Sequence, residues 1–511
     1  MLWSERDFES AKIDFNSELG EYPPLPHFAI QLPPVGCAGI GRRNICEAAM
    51  RYVSTRGGAA PQSFADILLA GTASDGGLFM PETWPQVSQA EIAGFAAKPY
   101  ADVAFAILKR FAGDSFSDAE LREDVVAAYS GFDAAEIAPL KQIGEDKYLL
   151  ELFHGPTLAF KDIAMQILGR FFARALKKRG GRATVLAATS GDTGSAAIAA
   201  LGGLENIDVF VIHPKGRTSD VQRRQMTTSK HANLHNIALE SDFDAAQTIV
   251  KQLFADDVFA RAVHLTAVNS INFARIAAQS VYYFTTTAKL GKAANFVVPT
   301  GNFGDIFAGE AAMRMGLRAN SLIVATNAND IMARALNDGV YASGAAHATL
   351  SPSMDIQVAS NFERALFEAS GRDAAWVRDA MQRFAADKSL TLPKNILDAL
   401  RSRYRAARAN DSETIDAIAR LYRDTGIVAD PHTAVGLAAA EKLETQLSGP
   451  VVMLSTAHPA KFPEAVARAT GQKPPLPPRL AHLYEREERM TVLPADAAAI
   501  RGFIQERSTP A

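Results

Sequence analysis

Lys161 stands in FHGPTLAFKDIAMQIL, flanked by Phe160 and Ile163 and followed by apolar residues at helical spacing. An amine in apolar surroundings near the positive end of a helix loses proton affinity, and a neutral amine is what attacks an aldehyde. Exposed lysines greatly outnumber such amines, so from spacing alone an ordinary surface lysine is the commoner outcome. Asp162 reads as a first-turn acid that suits the helix dipole rather than as a base. Two glycine-rich turns offer a different chemistry: SGDTG (190–194) and TGNFGD (300–305) each follow a β-type run and open a helical stretch. Backbone N–H groups of such a turn point outward, and glycine lets an anion approach them closely. Neither matches a P-loop or a full GxGxxG, and a tight turn that binds nothing is about as common as a ligand loop. The histidines His154, His213, His231, His235 and His458 lack metal-ligand spacing, and no GxSxG elbow occurs.

The elements that must position these residues follow from periodicity. ATVLAAT (183–189), NFVVP (295–299) and VVMLS (451–455) are short apolar runs that pass into a glycine- or proline-bearing turn and then an alanine-rich helix. IDVFVIHP (207–214) adds another strand. Strands alternating with helices predict an α/β fold of mostly parallel sheets covered by helices. The stretch from about 60 to 135 reads as helices between turns, with Ala101 to Phe111 at helical spacing and SDGGLFMPETWP as a loop. Residues 1–49 carry five prolines between 23 and 34 and little periodicity, which predicts an extended, poorly packed extension. The expected organisation is thus the 1–49 extension, a mainly helical region over 50–145, and a catalytic region of two α/β lobes over 146–511.

Composition narrows the function classes. The 511 residues carry a formal net charge of -3, which predicts neither a nucleic-acid footprint nor a membrane-surface protein. No apolar run is long enough to span a bilayer, and acids stand where a signal peptide has a basic start. Both cysteines, Cys37 and Cys46, fall in the first fifty residues, so thiolate chemistry is absent from the rest. A cytoplasmic protein is expected.

Taken together, FHGPTLAFKD (153–162), ATSGDTGSAA (188–197), PTGNFGD (299–305) and LSTAHPAKF (454–462) resemble the threonine synthase family. MRYVSTRGG (50–58) and SDGGLFMPE (74–82) resemble the opening of its bacterial and fungal branch, and AVNSINFARI (267–276) a further family segment. The likeness begins at Met50, which is why 1–49 are expected to precede the natural start. It implies the two-lobed fold type II core of the tryptophan-synthase-β class of pyridoxal-phosphate enzymes. It also implies conversion of O-phospho-L-homoserine and water to L-threonine and phosphate. Carried over by residue, Lys161 would be the Schiff-base lysine and proton shuttle. Gly301, Asn302, Phe303, Gly304 and Asp305 would form the cofactor phosphate loop, and Thr456 would face the pyridine nitrogen. Ser190, Gly191, Asp192, Thr193 and Gly194 would hold the substrate or lie beside the cofactor ring. For its two anionic groups the candidates are the SGDTG amides, Lys215, Arg217 and Arg364. The expected partners are the small-molecule substrate only, with no nucleic acid, membrane or metal, in a monomer or small homo-oligomer. Three rival readings are a dehydratase or phospho-lyase of the same cofactor class, a non-catalytic ligand-binding relative, and a nucleotide-binding α/β protein.

Overall fold

Strands buried on both faces are mostly apolar, and those at the centre of this chain are: all eight residues of Ile207–Pro214 and all five of Asn295–Pro299 are buried, with Asp208, His213 and Asn295 their polar members. The computed structural model describes residues 50–509; the expected extension over 1–49 lies outside the described residues. Two sheets dominate. A six-stranded sheet runs Tyr404–Arg408, Ser321–Thr326, Asn295–Pro299, Val451–Ser455, Lys147–Glu151, Leu140–Gly144, parallel except for the last pair. A five-stranded parallel sheet runs Thr491–Leu493, Leu234–Leu239, Ile207–Pro214, Ala183–Ala188, Leu265–Thr266. The fold is α/β with mostly parallel sheets, as expected, and the four strands read from the sequence are all present.

Helices form where caps and periodicity agree. Lys161–Arg179 ends on Gly180 in the left-handed region, with Lys177, Lys178 and Arg179 on its last turn facing the negative dipole end. Phe273–Leu290 is capped by the Asn272 side chain, which accepts from Ala274 N, and it closes on left-handed Gly291. Every residue from Phe273 to Ala288 is buried, which makes this helix the central post of the molecule. The N-terminal helices Phe64–Ala70, Gln89–Gly94, Tyr100–Ala112 and Asp118–Tyr129 pack around it and around Lys161–Arg179. Rings of Tyr52, Phe64, Trp84, Phe111 and Phe171 fill that seam, with Phe273 at its centre. Strand Leu140–Gly144 precedes the boundary expected at 145 but pairs into the six-stranded sheet.

Candidate functional site

Five helices begin at one cavity: Lys161–Arg179, Asp192–Leu201, Phe273–Leu290, Gly304–Arg314 and Pro431–Lys442. Three of the strands that feed it, Ala183–Ala188, Asn295–Pro299 and Val451–Ser455, end there, so it opens between the lobes at carboxyl strand ends. Unpaired N–H groups and positive dipole ends make this an anion-attracting space. About 710 Å³ of space lies between the atoms, part of it open to solvent.

Lys161 is the first residue of its helix, buried, with Nζ 3.3 Å from Asp192 Oδ2 and 3.4 Å from Ser353 Oγ. Burial lowers its proton affinity. Asp192 opposes that shift, while the cations Lys461 and Arg275 reinforce it. Asp192 also accepts from Gln222 Nε2 at 2.9 Å, from Ser353 Oγ at 3.1 Å, and from Lys461 Nζ at 2.6 Å. Burial alone would raise this carboxyl, but Lys461, Lys161 and His432 outweigh it and hold Asp192 well below the usual carboxylate range. Lys461 has no exposed surface and also donates to Thr157 O at 2.8 Å. Behind Ser353, whose amide donates to His432 Nε2 at 3.2 Å, His432 Nδ1 faces Asp430 Oδ1 at 2.8 Å.

The Thr300–Phe303 turn enters helix Gly304–Arg314 with Phe303 at φ 63°, a strained geometry for a phenylalanine. Packing against Phe362 and Tyr404 holds it there. The next acid, Asp305, takes hydrogen bonds from Tyr282 and Tyr283 on Oδ1, whereas its buried Oδ2 has no partner. Burial pushes its carboxyl up to about 7, against the opposing pull of the tyrosine hydroxyls, Lys161 and Arg275. Thr456 lies at the end of its strand, its amide on Thr433 Oγ1 and its carbonyl on Phe160 N at 2.8 Å, which ties it to the turn before Lys161.

Of the residues singled out from the sequence, Lys161, Asp192, Thr193, Thr456 and Gly301 through Asp305 line this cavity. Ser190, Gly191 and Gly194 lie behind it: the amides of Gly191 and Gly194 both donate to Thr189 Oγ1, at 3.0 and 2.9 Å, and are spent within the turn. The three cations weighed for substrate anions lie elsewhere. Lys215 is exposed and paired with Glu240, and Arg217 is exposed. Arg364 is fully buried but donates to the carbonyls of Phe79 and Ile271 and to Asn361 Oδ1. Asp162 stands in the first turn of its helix, as expected, and is buried there, accepting from Thr157 N and Oγ1, both at 2.7 Å. Sequence reasoning passed over Arg275, Ser353, His432 and Lys461. Two of them had a signal, since Lys461 and Arg275 are cations set inside apolar runs of AHPAKF and FARIAAQ.

These residues fit pyridoxal phosphate. A buried amine of lowered proton affinity shares a cavity with a helix-opening glycine turn, a strand-end hydroxyl, and orphaned buried polar atoms at Asp305 Oδ2 and Arg275.

Three family models match: "Threonine synthase N terminus" over residues 51–129, "Pyridoxal-phosphate dependent enzyme" over 134–393, and "Threonine synthase, C-terminal" over 433–504. The threonine synthase of Pseudomonas aeruginosa is 48% identical over 461 residues, covering 89% of this chain and 98% of that protein. The Saccharomyces cerevisiae threonine synthase is 39% identical, covering 90% and 98%. Among solved structures, the PLP-bound threonine synthase from Brucella melitensis superposes with a TM-score of 0.88 at 48% identity, covering 90% of this chain and all of that one. The yeast enzyme gives 0.85 at 37% identity, covering 90% of this chain and 99% of that one.

Proposed function

The chain belongs to the threonine synthase family, and from that premise we infer how its own residues serve the reaction. It is a pyridoxal-phosphate-dependent lyase that converts O-phospho-L-homoserine and water to L-threonine and phosphate. Bound pyridoxal phosphate supplies an electron sink conjugated to the substrate's amine, which acidifies its carbon–hydrogen bonds. Lys161 would carry the cofactor, the turn from Gly301 to Asp305 would hold its phosphate, and Thr456 would meet its ring nitrogen without enforcing protonation there. The observation that carries this assignment is the burial of the Lys161 amine in one cavity with that turn and Thr456.

Proton movement falls to Lys161 Nζ. Lys461 is fully buried outside the cavity lining and bound to Thr157 O and Asp192, whereas Lys161 lines the cavity. That leaves Lys161 as the amine in this cluster free to take a proton from a substrate carbon and return it. Asp192 orients it, and Ser353 with Met354 covers the cavity and limits water. The turn from Ser190 to Gly194 would receive the substrate. Its contribution rests on Asp192 and Thr193 at the helix start, because the Gly191 and Gly194 amides are spent on Thr189.

We also place the chain in the cytoplasm as a monomer or small homo-oligomer without nucleic-acid or membrane partners. A net charge of -3 supports this reading, as does the lack, among the described residues, of any helix long and apolar enough to cross a membrane. The test is phosphate release from O-phosphohomoserine with threonine assayed alongside, for wild type and Lys161→Ala. Equal amounts of both products from wild type, and essentially none from the variant, are expected. Phosphate accompanied by 2-oxobutyrate would make the chain a phospho-lyase instead.

A further inference from the structure

Two arginines of this chain are buried near the start of a helix, and the fold treats them differently. Arg364 spends its guanidinium on two backbone carbonyls and an asparagine oxygen. Arg275, 4% exposed on the first turn of Phe273–Leu290, leaves Nε and Nη1 without any hydrogen-bond partner. Asp305 is no substitute: it attracts Arg275 but forms no ion pair with it, and its Oδ1 belongs to Tyr282 and Tyr283. Burial lowers the guanidinium only to about 10, so it stays cationic at neutral pH. A buried, charged and unpaired group is heavily penalised, and natural structures keep one where a ligand completes it. Arg275 lines the same cavity as the Thr300–Asp305 turn, with Gln279 one helical turn further along.

We propose that Arg275 is the side-chain half of a phosphate-monoester site whose other half is the Thr300–Asp305 turn. A guanidinium suits this role better than an ammonium, since its planar fork matches two phosphoryl oxygens at once. The proposal rests on the pyridoxal-phosphate reading above. The same chemistry has two sources here, the cofactor's phosphate and the substrate's, and the experiment separates them.

Apo protein, as wild type, Arg275→Met and Arg275→Lys, is titrated with pyridoxal phosphate and with pyridoxal, and binding is followed by absorbance. The loaded enzymes are then titrated with inorganic phosphate and assayed with O-phosphohomoserine. If Arg275 holds the cofactor's phosphate, Arg275→Met weakens pyridoxal phosphate at least about tenfold and leaves pyridoxal unchanged. If it holds the substrate's phosphate, cofactor affinity stays constant, while the inorganic-phosphate Kd and the substrate KM rise at least about tenfold with little change in kcat. In either case Arg275→Lys recovers part of the loss, and the apo Tm of Arg275→Met equals or exceeds that of wild type, because an unpaired charge has been removed. Equal weakening of pyridoxal and its phosphate, a lowered apo Tm, or no change in any phosphate-dependent constant would overturn the proposal. Failure of the wild type to make threonine would instead remove the substrate assignment, and the two cofactor titrations and the phosphate titration would still decide the role of Arg275.

Discussion

Asp192 lies between the side-chain amines of Lys161 and Lys461, so the electrostatics of the reactive amine depend on this shared acid. Burial is the largest influence lowering Lys161, with Lys461 adding to it and Asp192 opposing it. Removing Lys461 takes away a repelling cation and leaves Asp192 more available to Lys161, and both changes raise the proton affinity of the amine. In Lys461→Met, the pH profile for attachment of pyridoxal phosphate to apo protein should therefore move to higher pH; an unmoved or lowered midpoint would contradict this balance. Asp305 gives a second residue-scale prediction. Its carboxyl, raised to about 7 by burial, is protonated below that pH, and its orphaned Oδ2 is then a donor suited to a phosphate. Above pH 7 it becomes an anion facing an anion. Asp305→Asn keeps a donor at every pH, so the wild-type Kd for pyridoxal phosphate should rise relative to the variant's between pH 6 and 8.5. A ratio independent of pH would remove this role.

The short helical turn Pro352–Met354 lines one side of the cavity through Ser353 and Met354. It is fixed by Ser353 on Asp192 and on His432, and Asn327 and Asn329 brace Asp355 at its base. The segment lies so close to the phosphate turn that a Cβ placed on Gly301 would come within 2.7 Å of Ser353 O. The blocking atom is backbone, so it cannot swing aside as the end of a flexible side chain would. Gly301→Ala should displace this segment, break the Ser353–Asp192 hydrogen bond and admit water. We expect kcat for threonine formation to fall at least about tenfold, with the melting temperature of the apo protein changing by only a few degrees. Retention of full activity would show that the cover is not needed. The same logic reaches the helix starts, where Phe303 keeps its left-handed backbone only because Phe362 and Tyr404 enclose it.

Across the whole molecule, the N-terminal helical region is joined to the lobes through a buried acid. Glu363 accepts from Thr55 Oγ1 at 2.5 Å and from Arg56 Nε and Nη2 at 3.0 and 2.8 Å, next to Arg364 on the carbonyl of Phe79. Truncating Glu363 leaves these donors unmatched, so Glu363→Ala should lower stability by about 2–4 kcal/mol, read as a shift in the urea unfolding midpoint. A shift below about 0.5 kcal/mol would mean that the aromatic seam around Phe273 holds the two parts together unaided. This junction gives the early SDGGLFMPE segment a physical purpose. Its Phe79 pairs with Ser54 and supplies an acceptor to Arg364, at a distance from the cavity.

The sequence by itself determined the strands, the helices that follow them and the turns between, because apolar periodicity and glycine position act over a few residues. It also offered Lys161 and the turn from Gly301 to Asp305 as candidates among commoner alternatives, and the family resemblance added Thr456 and the role of each. What the tertiary structure alone decided is which polar groups are left free for a ligand. The amides of Gly191 and Gly194 looked available until Thr189 was seen to take them. Arg275 and Arg364 occupy similar apolar stretches at helix starts, yet one is satisfied by carbonyls from distant segments and the other is not. Hydrogen-bond satisfaction depends on partners far away along the chain, and no local pattern encodes it.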